Sequence, residues 1–541
     1  MSRSPSPIVV DSPTSAAPTI NPPEISVFTP PKTTTSLVNN DSYYLELANK
    51  PMANRFVGPM PVDEFLNTFL PPPADLPPSP CAPTDRIFDD MFILSGEPHV
   101  LFIDVLRKHG LCPNLVLTDT NHERDRHYRS TPGPHISLYK ADAPPTIPSL
   151  QPAVGPLRWA DIELGVQFFP TARDPFSDAP GTHFEAAAEP IAHARGRLIA
   201  EALAALALAF RTAFFSVCVL DAHARLLRWD NAGCVVSAKF DFVRAARPLV
   251  EFFWRFAHAS GAARGRDPSV IPLSVSEAVA AADRLRVHPS LCVELRVMVP
   301  RKNVKGKGKA GDKVKTTVRR LAGVLPQSLN FTPWTGTATR RCPAVDLASG
   351  EVVWVKDTWM IDTDLVPGIP QLYELMRAPW RDENAKAKTP FVPWYERGYD
   401  VLSGELVQRS RSNEFLAAPW ADTARESGDR KITAQRHRRE ILRYDLRPLS
   451  HFNSTKEMTS AFLDSIKAHQ AYYFKGVLHG DINPANMPMT RDGKGLLFDL
   501  DDGNAISSKP IRADPELEPK VPDEEDVLMM LASMGIIDMG D

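Results

Sequence analysis

The chain has 541 residues, 43% of them apolar and 23% charged, with a formal net charge of −3. This is the composition of a soluble globular protein, and without a basic excess it gives no ground for general binding to nucleic acid or to an acidic membrane. Six scattered cysteines with no C-x-x-C pair argue against a zinc site or a disulfide framework, and MSRSPSPIVV lacks a signal-peptide core, so the expected location is the cytoplasm, the nucleus or both.

Of the 52 prolines, 18 precede residue 85. With little apolar material to offset ordering entropy, residues 1–54 are expected to form a disordered Pro/Ser/Thr-rich tail. Ser4, Ser6, Ser12 and Ser79 each precede a proline and are candidates for proline-directed phosphorylation, with an inert solvated tail as the alternative.

Residues 55–300 alternate helical and extended patterns and are expected to form an α/β domain. VDEFLNTFL, GRLIAEALAALALAF and LVEFFWRFAHA read as helices, and FFSVCVL, ARLLRWD and GCVVSAKFDF as strands. The longest apolar run, ALAALALAF, is bounded by Glu201 and Arg211 and is too short to span a bilayer. HISLYK and IELGVQFF have the strand spacing of a restriction-nuclease-like fold. Gln167 and Phe169 stand where the acid and the lysine would be needed, so no nuclease site is expected. The stretch 301–319 follows, and RKNVKGKGKAGDKVKTTVRR holds nine Lys or Arg against one Asp. It reads as a basic linker, with nuclear localisation or phosphate binding as alternatives.

The chemistry is concentrated in residues 320–505. GEVVWVKDTW reads as a hairpin arm and strand bearing Lys356, and QLYELMRA as a short helix bearing Glu374. Phosphoryl transfer needs a cation on the α/β-phosphates that is held by an acid from a neighbouring helix, and these two residues fit those roles. Ser454 and Glu457 form an S-x-x-E capping box that opens a helix over about 455–475, with Phe462, Ile466 and Tyr473 as its apolar stripe. A hinge is expected near Arg443 to Leu446. GVL then leads into HGDINPAN, and the strand GLLFD follows. Asp481 could accept a proton from a substrate hydroxyl, while Asn486 and Asp499 are hard oxygen ligands suited to Mg²⁺ on a nucleotide. The spacing D-x₄-N-x₁₂-D between apolar runs is specific, with polar turn residues of a β-hairpin as the bland alternative. Residues 506–541 form an acidic tail with one short helix, in which Val527, Leu528, Leu531 and Met534 share a face that could cover the 455–475 stripe.

These motifs resemble the fungal-type protein kinases, a branch of the protein kinase-like superfamily. FRTAFFSVCVLDAHARLLRWDNAGCVVSAKFDF, VEFFWRFAHAS and RGRDPSV resemble the family's N-terminal signatures. VKDTW resembles its lysine strand, RPLSHFNSTKEMTSAFLDSIKAHQAYYFKGVLHGDINPANM its helix and catalytic loop, and LLFDLDDG its metal-binding segment. The resemblance implies an α+β chain: a kinase-like small lobe and a partial large lobe, preceded by a family-specific α/β domain. It also implies ATP- and Mg²⁺-dependent transfer to Ser/Thr hydroxyls of a protein substrate, with no membrane or nucleic-acid partner. Lys356 and Glu374 would anchor ATP, Asp481 would be the base, and Asn486 and Asp499 would hold metal. TGTATRRCPAVDLASGE would cover the phosphates and retains only Gly336 of the expected glycines. Gly480 replaces the usual Arg of H-R-D, a form typical of aminoglycoside and choline kinase-like enzymes, so a small-molecule phosphotransferase is one alternative. Only 42 residues follow Asp499, so the large lobe is expected to be incomplete, and a catalytically inactive, interaction-only protein is the other alternative.

Overall fold

The computed structural model describes residues 40–82, 86–125, 129, 131–141, 157–179, 181–300, 316–326, 334, 338–362, 395–421, 432–442, 446–447, 449–490, 492–498, 500, 504–505 and 529. Two large sheets organise them. The first runs in the order Phe56–Met60, Cys234–Ser237, His223–Trp229, Phe214–Leu220, Ile162–Phe169, Ile136–Lys140, Leu115–Asp119, with Phe240–Asp241 added to His223–Trp229. Ile162–Phe169 and Phe214–Leu220 are parallel, so the chain must cross over between them, and the helix Glu189–Ala207 makes that crossing. Phe214–Leu220 is buried along its whole length. Phe214, Cys218 and Leu220 join the core beneath the crossover helix, while Phe215, Val217 and Val219 join the opposite core under the helices Val62–Phe69, Pro98–Lys108 and Arg247–His258. Burial on both faces explains why FFSVCVL is continuously apolar rather than alternating.

Residues 40–54 do not form the disordered tail expected over 1–54, whose first 39 residues lie outside the described residues. Asn40–Asn49 is a helix, and Tyr44, Leu47 and Ala48 are buried against the crossover helix. Their i, i+3, i+4 spacing gives this mostly polar segment one apolar face. Gly196 lets the two helices meet, since a Cβ there would lie 2.0 Å from the Tyr44 carbonyl oxygen.

The second sheet runs in the order Tyr395–Asp400, Gln435–Leu442, Val352–Ile361, Ala338–Asp346, Thr316–Val324, Cys292–Pro300, Val270–Pro272. Its membership corrects two expected boundaries. Cys292–Pro300 pairs with Thr316–Val324 along nine residues, so the described parts of the basic segment's flanks form one hairpin rather than the ends of two domains. Residues 301–315 lie outside the described residues. Residues 270–300, assigned from sequence to the N-terminal domain, extend the sheet that carries Lys356. Periodicity predicts strands but not their partners, which is why the boundary was placed at the charge run instead.

The two sheets are joined through a buried polar cluster. Arg439 donates through Nε to Asp357 Oδ1 at 2.9 Å, through Nη2 to Asp267 Oδ2 at 3.0 Å and through Nη1 to Ser269 Oγ at 2.8 Å. His437 bridges Asp357 Oδ1 and Gln408 Oε1, each at 2.8 Å, and Gln408 Nε2 donates to Asp267 Oδ1 at 2.8 Å. Arg439, Asp357, Asp267 and His437 are each at most 2% exposed. Arg340 lies 3.4 Å from Asp357 and also donates to the Leu206 and Ala209 carbonyls at the end of the crossover helix, where a cation is favoured. Phe210 lies beneath both guanidiniums, and Trp359 stacks on His437 with centroids 4.6 Å apart.

Burial raises the Asp267 carboxyl, but Arg439 and His437 outweigh it, and its pKa is held below the ordinary value. For Asp357 burial likewise opposes ionisation, and His437 with Arg439 again wins, leaving it far below the usual range. Depressed carboxyl pKa values stabilise the fold above the unfolded value of about 3.9, and that contribution is lost as pH falls toward the folded values. In urea unfolding followed by circular dichroism, stability should drop steeply below about pH 4. Asp357→Asn should cost about 3–5 kcal/mol at neutral pH by leaving Arg439 undercompensated, and should flatten the acid slope. An unchanged slope in the mutant would show that the cluster does not set acid stability.

Candidate active site

The C-terminal unit starts where Leu446–Arg447 pairs with Met489–Thr490. The helix Thr455–Phe474 follows, with Ser454 Oγ accepting the Glu457 N–H at 3.2 Å. The capping box expected from S-x-x-E is half closed. Glu457 turns to the Asn453 N–H at 2.6 Å and to Arg447 instead of returning to the Ser454 N–H. The buried face also differs from the expected stripe. Met458, Ala461, Ser465, Ala468 and Tyr472 are buried, Phe462 and Ile466 are half-buried, and Tyr473 is 42% exposed. Small residues face inward because the chain at 495–498 lies close. A Cβ on Gly495 would be 2.1 Å from the Ala461 carbonyl oxygen, and the Gly495 N–H donates to Asp464 Oδ2 at 3.0 Å. The proposed cover of the 455–475 stripe by Val527, Leu528, Leu531 and Met534 lies outside the described residues, as do 443–445 of the expected hinge.

The loop from His479 to Phe498 is closed on itself. Tyr472 Oη donates to the Leu497 carbonyl at 2.9 Å, the Phe498 N–H donates to the Asn486 carbonyl at 2.8 Å, and His479 Nε2 lies 2.6 Å from the Phe498 carbonyl. A carbonyl can only accept, so His479 carries its proton on Nε2, and in the neutral ring Nδ1 accepts the Asp481 N–H at 3.4 Å. Between these anchors, Asp481 Oδ2 accepts from Asn486 Nδ2 and Asp481 Oδ1 from Asn483 Nδ2, each at 2.8 Å. Asn486 is buried and Asp481 is half-buried. Because the Asn486 amide spends Nδ2 on Asp481, its Oδ1 is the atom left to face a cation. Gly495–Phe498 forms no ladder strand: its backbone is held by single bonds, among them those from the Leu496 N–H to the Pro488 carbonyl and from Phe498 as above.

Gly480 has φ +81°, the left-handed region, so an arginine at this position would be strained as well as different in chemistry.

Lys356 is buried, on the strand Val352–Ile361. Alternation places it on the same face as Trp354 and Met360, which pack against the core of the C-terminal unit, while Val353, Val355, Asp357 and Trp359 face the other way. Sequence reasoning missed Glu440. It is buried directly opposite Lys356 in the register of Gln435–Leu442, so both side chains share that face. Asn483 and the His479 tautomer were missed as well. Their signal was the density of polar residues in HGDINPAN, but chain spacing does not say which amide reaches which oxygen. Gly336, Glu374 and Asp499 lie outside the described residues, so the structure brings together Asp481 and Asn486, and sets Lys356 on the sheet face directed at their unit. Among the described residues no group of three or more His, Cys, Asp or Glu could hold a metal.

Residues 351–515 match the family described as fungal protein kinase. No curated protein matches the chain. Among solved structures it is similar to the ROP18 kinase domain in complex with AMP-PNP and sucrose, at 14% identity over 42% of this chain and 60% of that one, with a TM-score of 0.23. It is also similar to a Toxoplasma gondii specific rhoptry antigen kinase domain, at 16% identity over 37% of this chain and 57% of that one, with a TM-score of 0.17. The chain spans less than two thirds of either kinase domain.

Replacing Gly480 tests the loop. Gly480→Ala should keep the fold but lose about 1–2 kcal/mol, the cost of a side chain in the left-handed region. Thermal melting of the two proteins side by side would show it, and equal stabilities would mean that this turn relaxes freely.

Proposed function

We propose that the chain binds ATP with Mg²⁺ between the Lys356 face of the second sheet and the 479–500 loop, and transfers the γ-phosphoryl group to a Ser or Thr hydroxyl of a protein. The observation that carries this reading is the Asp481 carboxylate, oriented through both oxygens by Asn483 and Asn486 within a loop pinned at His479 and Phe498. A catalyst of phosphoryl transfer contributes mainly positioning and electrostatics, so a carboxylate oriented before substrate arrives is the feature to expect. The position of Lys356 supports it too, buried on the sheet face that packs against the unit carrying Asp481.

The acceptor hydroxyl gives its proton to Asp481 as its oxygen bonds to the γ-phosphorus, and the bond from that phosphorus to the bridging β–γ oxygen breaks to leave ADP. Lys356 neutralises charge on the α/β-phosphates. Glu374, the expected helical partner of Lys356, and Gly336, in the phosphate-covering segment, would complete the nucleotide contacts. The Asn486 Oδ1 and the Asp499 carboxylate are a hard oxygen pair of the kind Mg²⁺ accepts. Bound there, the ion would supply charge neutralisation on the phosphate oxygens.

The H-G-D sequence at 479–481, a form typical of aminoglycoside and choline kinase-like enzymes, supports a second reading, in which the acceptor is the hydroxyl of a small molecule. Incubation with labelled ATP and peptide, aminoglycoside or choline acceptors separates the two by product. Mg-ATP should raise the melting temperature of the full chain through linkage. Lys356→Ala should abolish that shift. No shift with the wild type at millimolar Mg-ATP would defeat both readings and leave a catalytically inactive interaction protein. Asp499→Asn should eliminate transfer while circular dichroism and melting remain near wild type; collapse of the fold would show that Asp499 is a structural acceptor instead.

A further inference from the structure

The segment Arg264–Ser269 is a clasp between the two sheets. At its N-terminal end, Arg264 and Arg266 each donate through Nε, at 2.9 Å, to the buried carboxylate of Glu163 on the strand Ile162–Phe169 of the first sheet. The Gly265 carbonyl accepts the Thr212 N–H at 2.9 Å, and Gly265 has φ +91° with its Cα pressed so close that a Cβ would lie 2.1 Å from the Ala213 carbonyl oxygen. This end is thereby fixed to the first sheet. At its other end Asp267 holds Arg439 and Gln408, and Ser269 Oγ accepts from Arg439. Arg439 in turn holds Asp357, the residue after Lys356. Asp357 and Lys356 point to opposite faces of one strand, so fixing the first fixes the peptide from which the second projects.

We infer that Asp267 is a positioning residue for nucleotide binding: through Arg439 and Asp357 it holds the lysine strand, so that the N-terminal unit is a working part of the nucleotide site. This rests on the nucleotide-binding reading above. Asp267 touches neither nucleotide nor acceptor, and its effect passes through the side chains of Arg439 and Asp357, which are buried and hydrogen-bonded to each other. The RGRDPS stretch thereby adds to the other ties between the sheets, the Arg340 bonds to the Leu206 and Ala209 carbonyls and Trp359 in the core beneath the crossover helix.

The test uses the full chain, with Mg-ATP as the probe in titration calorimetry. Asp267→Asn keeps the shape and loses the charge facing Arg439; it should weaken Mg-ATP binding by at least about tenfold, the scale expected when a binding group is misplaced. Ser269→Ala removes one bond from Arg439 and should weaken binding about threefold, a smaller misplacement. It serves as the test if Asp267→Asn does not fold. Asp174→Asn breaks another buried pair, with Arg225, inside the first unit, and should lower stability without changing affinity. Hydrogen exchange gives the readout independent of nucleotide: Asp267→Asn should speed exchange at amides of 352–361 and Asp174→Asn should not. A folded Asp267→Asn protein that binds Mg-ATP within about twofold of wild type would overturn the inference. If the wild type binds no Mg-ATP, the function fails first, and unchanged exchange over 352–361 in Asp267→Asn would then overturn the inference independently.

Discussion

Arg439 is a guanidinium without access to water, and the two carboxylates that neutralise it come from different parts of the chain. Removing a single partner from such a group is costly, because the remaining charge stays buried and undercompensated. The constraint therefore works in one direction: Asp357 must come from the strand of the second sheet and Asp267 from the segment tied to the first, and both must arrive in one register. Apolar packing alone would bind the sheets together while tolerating slippage. A fully buried, hydrogen-bonded ion cluster tolerates little, because hydrogen bonds lose strength steeply with misalignment.

The candidate site takes its geometry from that arrangement and from a second, smaller one. The C-terminal unit supplies a loop held by its own hydrogen bonds, with His479 and Asn486 as the anchors and Asp481 between them. The helix Thr455–Phe474 offers it small side chains and the Tyr472 hydroxyl, so the backbone at 495–498 can approach closely enough to be held. On the facing sheet, Lys356 shares its side of the strand with Trp354 and Met360, which pack against the core of this unit. The buried cluster lies on one face of the lysine strand and the candidate chemistry on the other. One strand thus transmits the position of the first sheet to the site.

Much of this was legible in the sequence, and the reasons for the rest are physical. The continuous apolar run FFSVCVL and the amphipathic pattern of LVEFFWRFAHA gave a strand and a helix where the structure has them, because burial on two faces and on one face leaves different periodicities. HGDINPAN announced itself because several polar groups stand between apolar runs, and its interior bonds explain that density. The helix over 455–474 was legible in extent but not in facing. Bulky residues were assigned to its buried side, whereas close approach of the 495–498 backbone selects Ala461, Ser465 and Ala468. The basic stretch misled, since a charge run marks exposure and says nothing about whether the flanking strands pair with each other. Least legible was the cluster itself: Asp267, Asp357 and Arg439 are 82 to 172 residues apart in pairwise contact, and no local pattern distinguishes them from surface charges.

Hydrogen–deuterium exchange of the full chain, with and without Mg-ATP, tests the central claim most directly, since it reads the location of binding without requiring an acceptor. Nucleotide bound between the lysine strand and the loop should protect amides in 352–361 and 477–500 together, and leave the outer strands at 115–119 and 136–140 unchanged. Protection confined to other segments, or none at saturating Mg-ATP, would contradict the account.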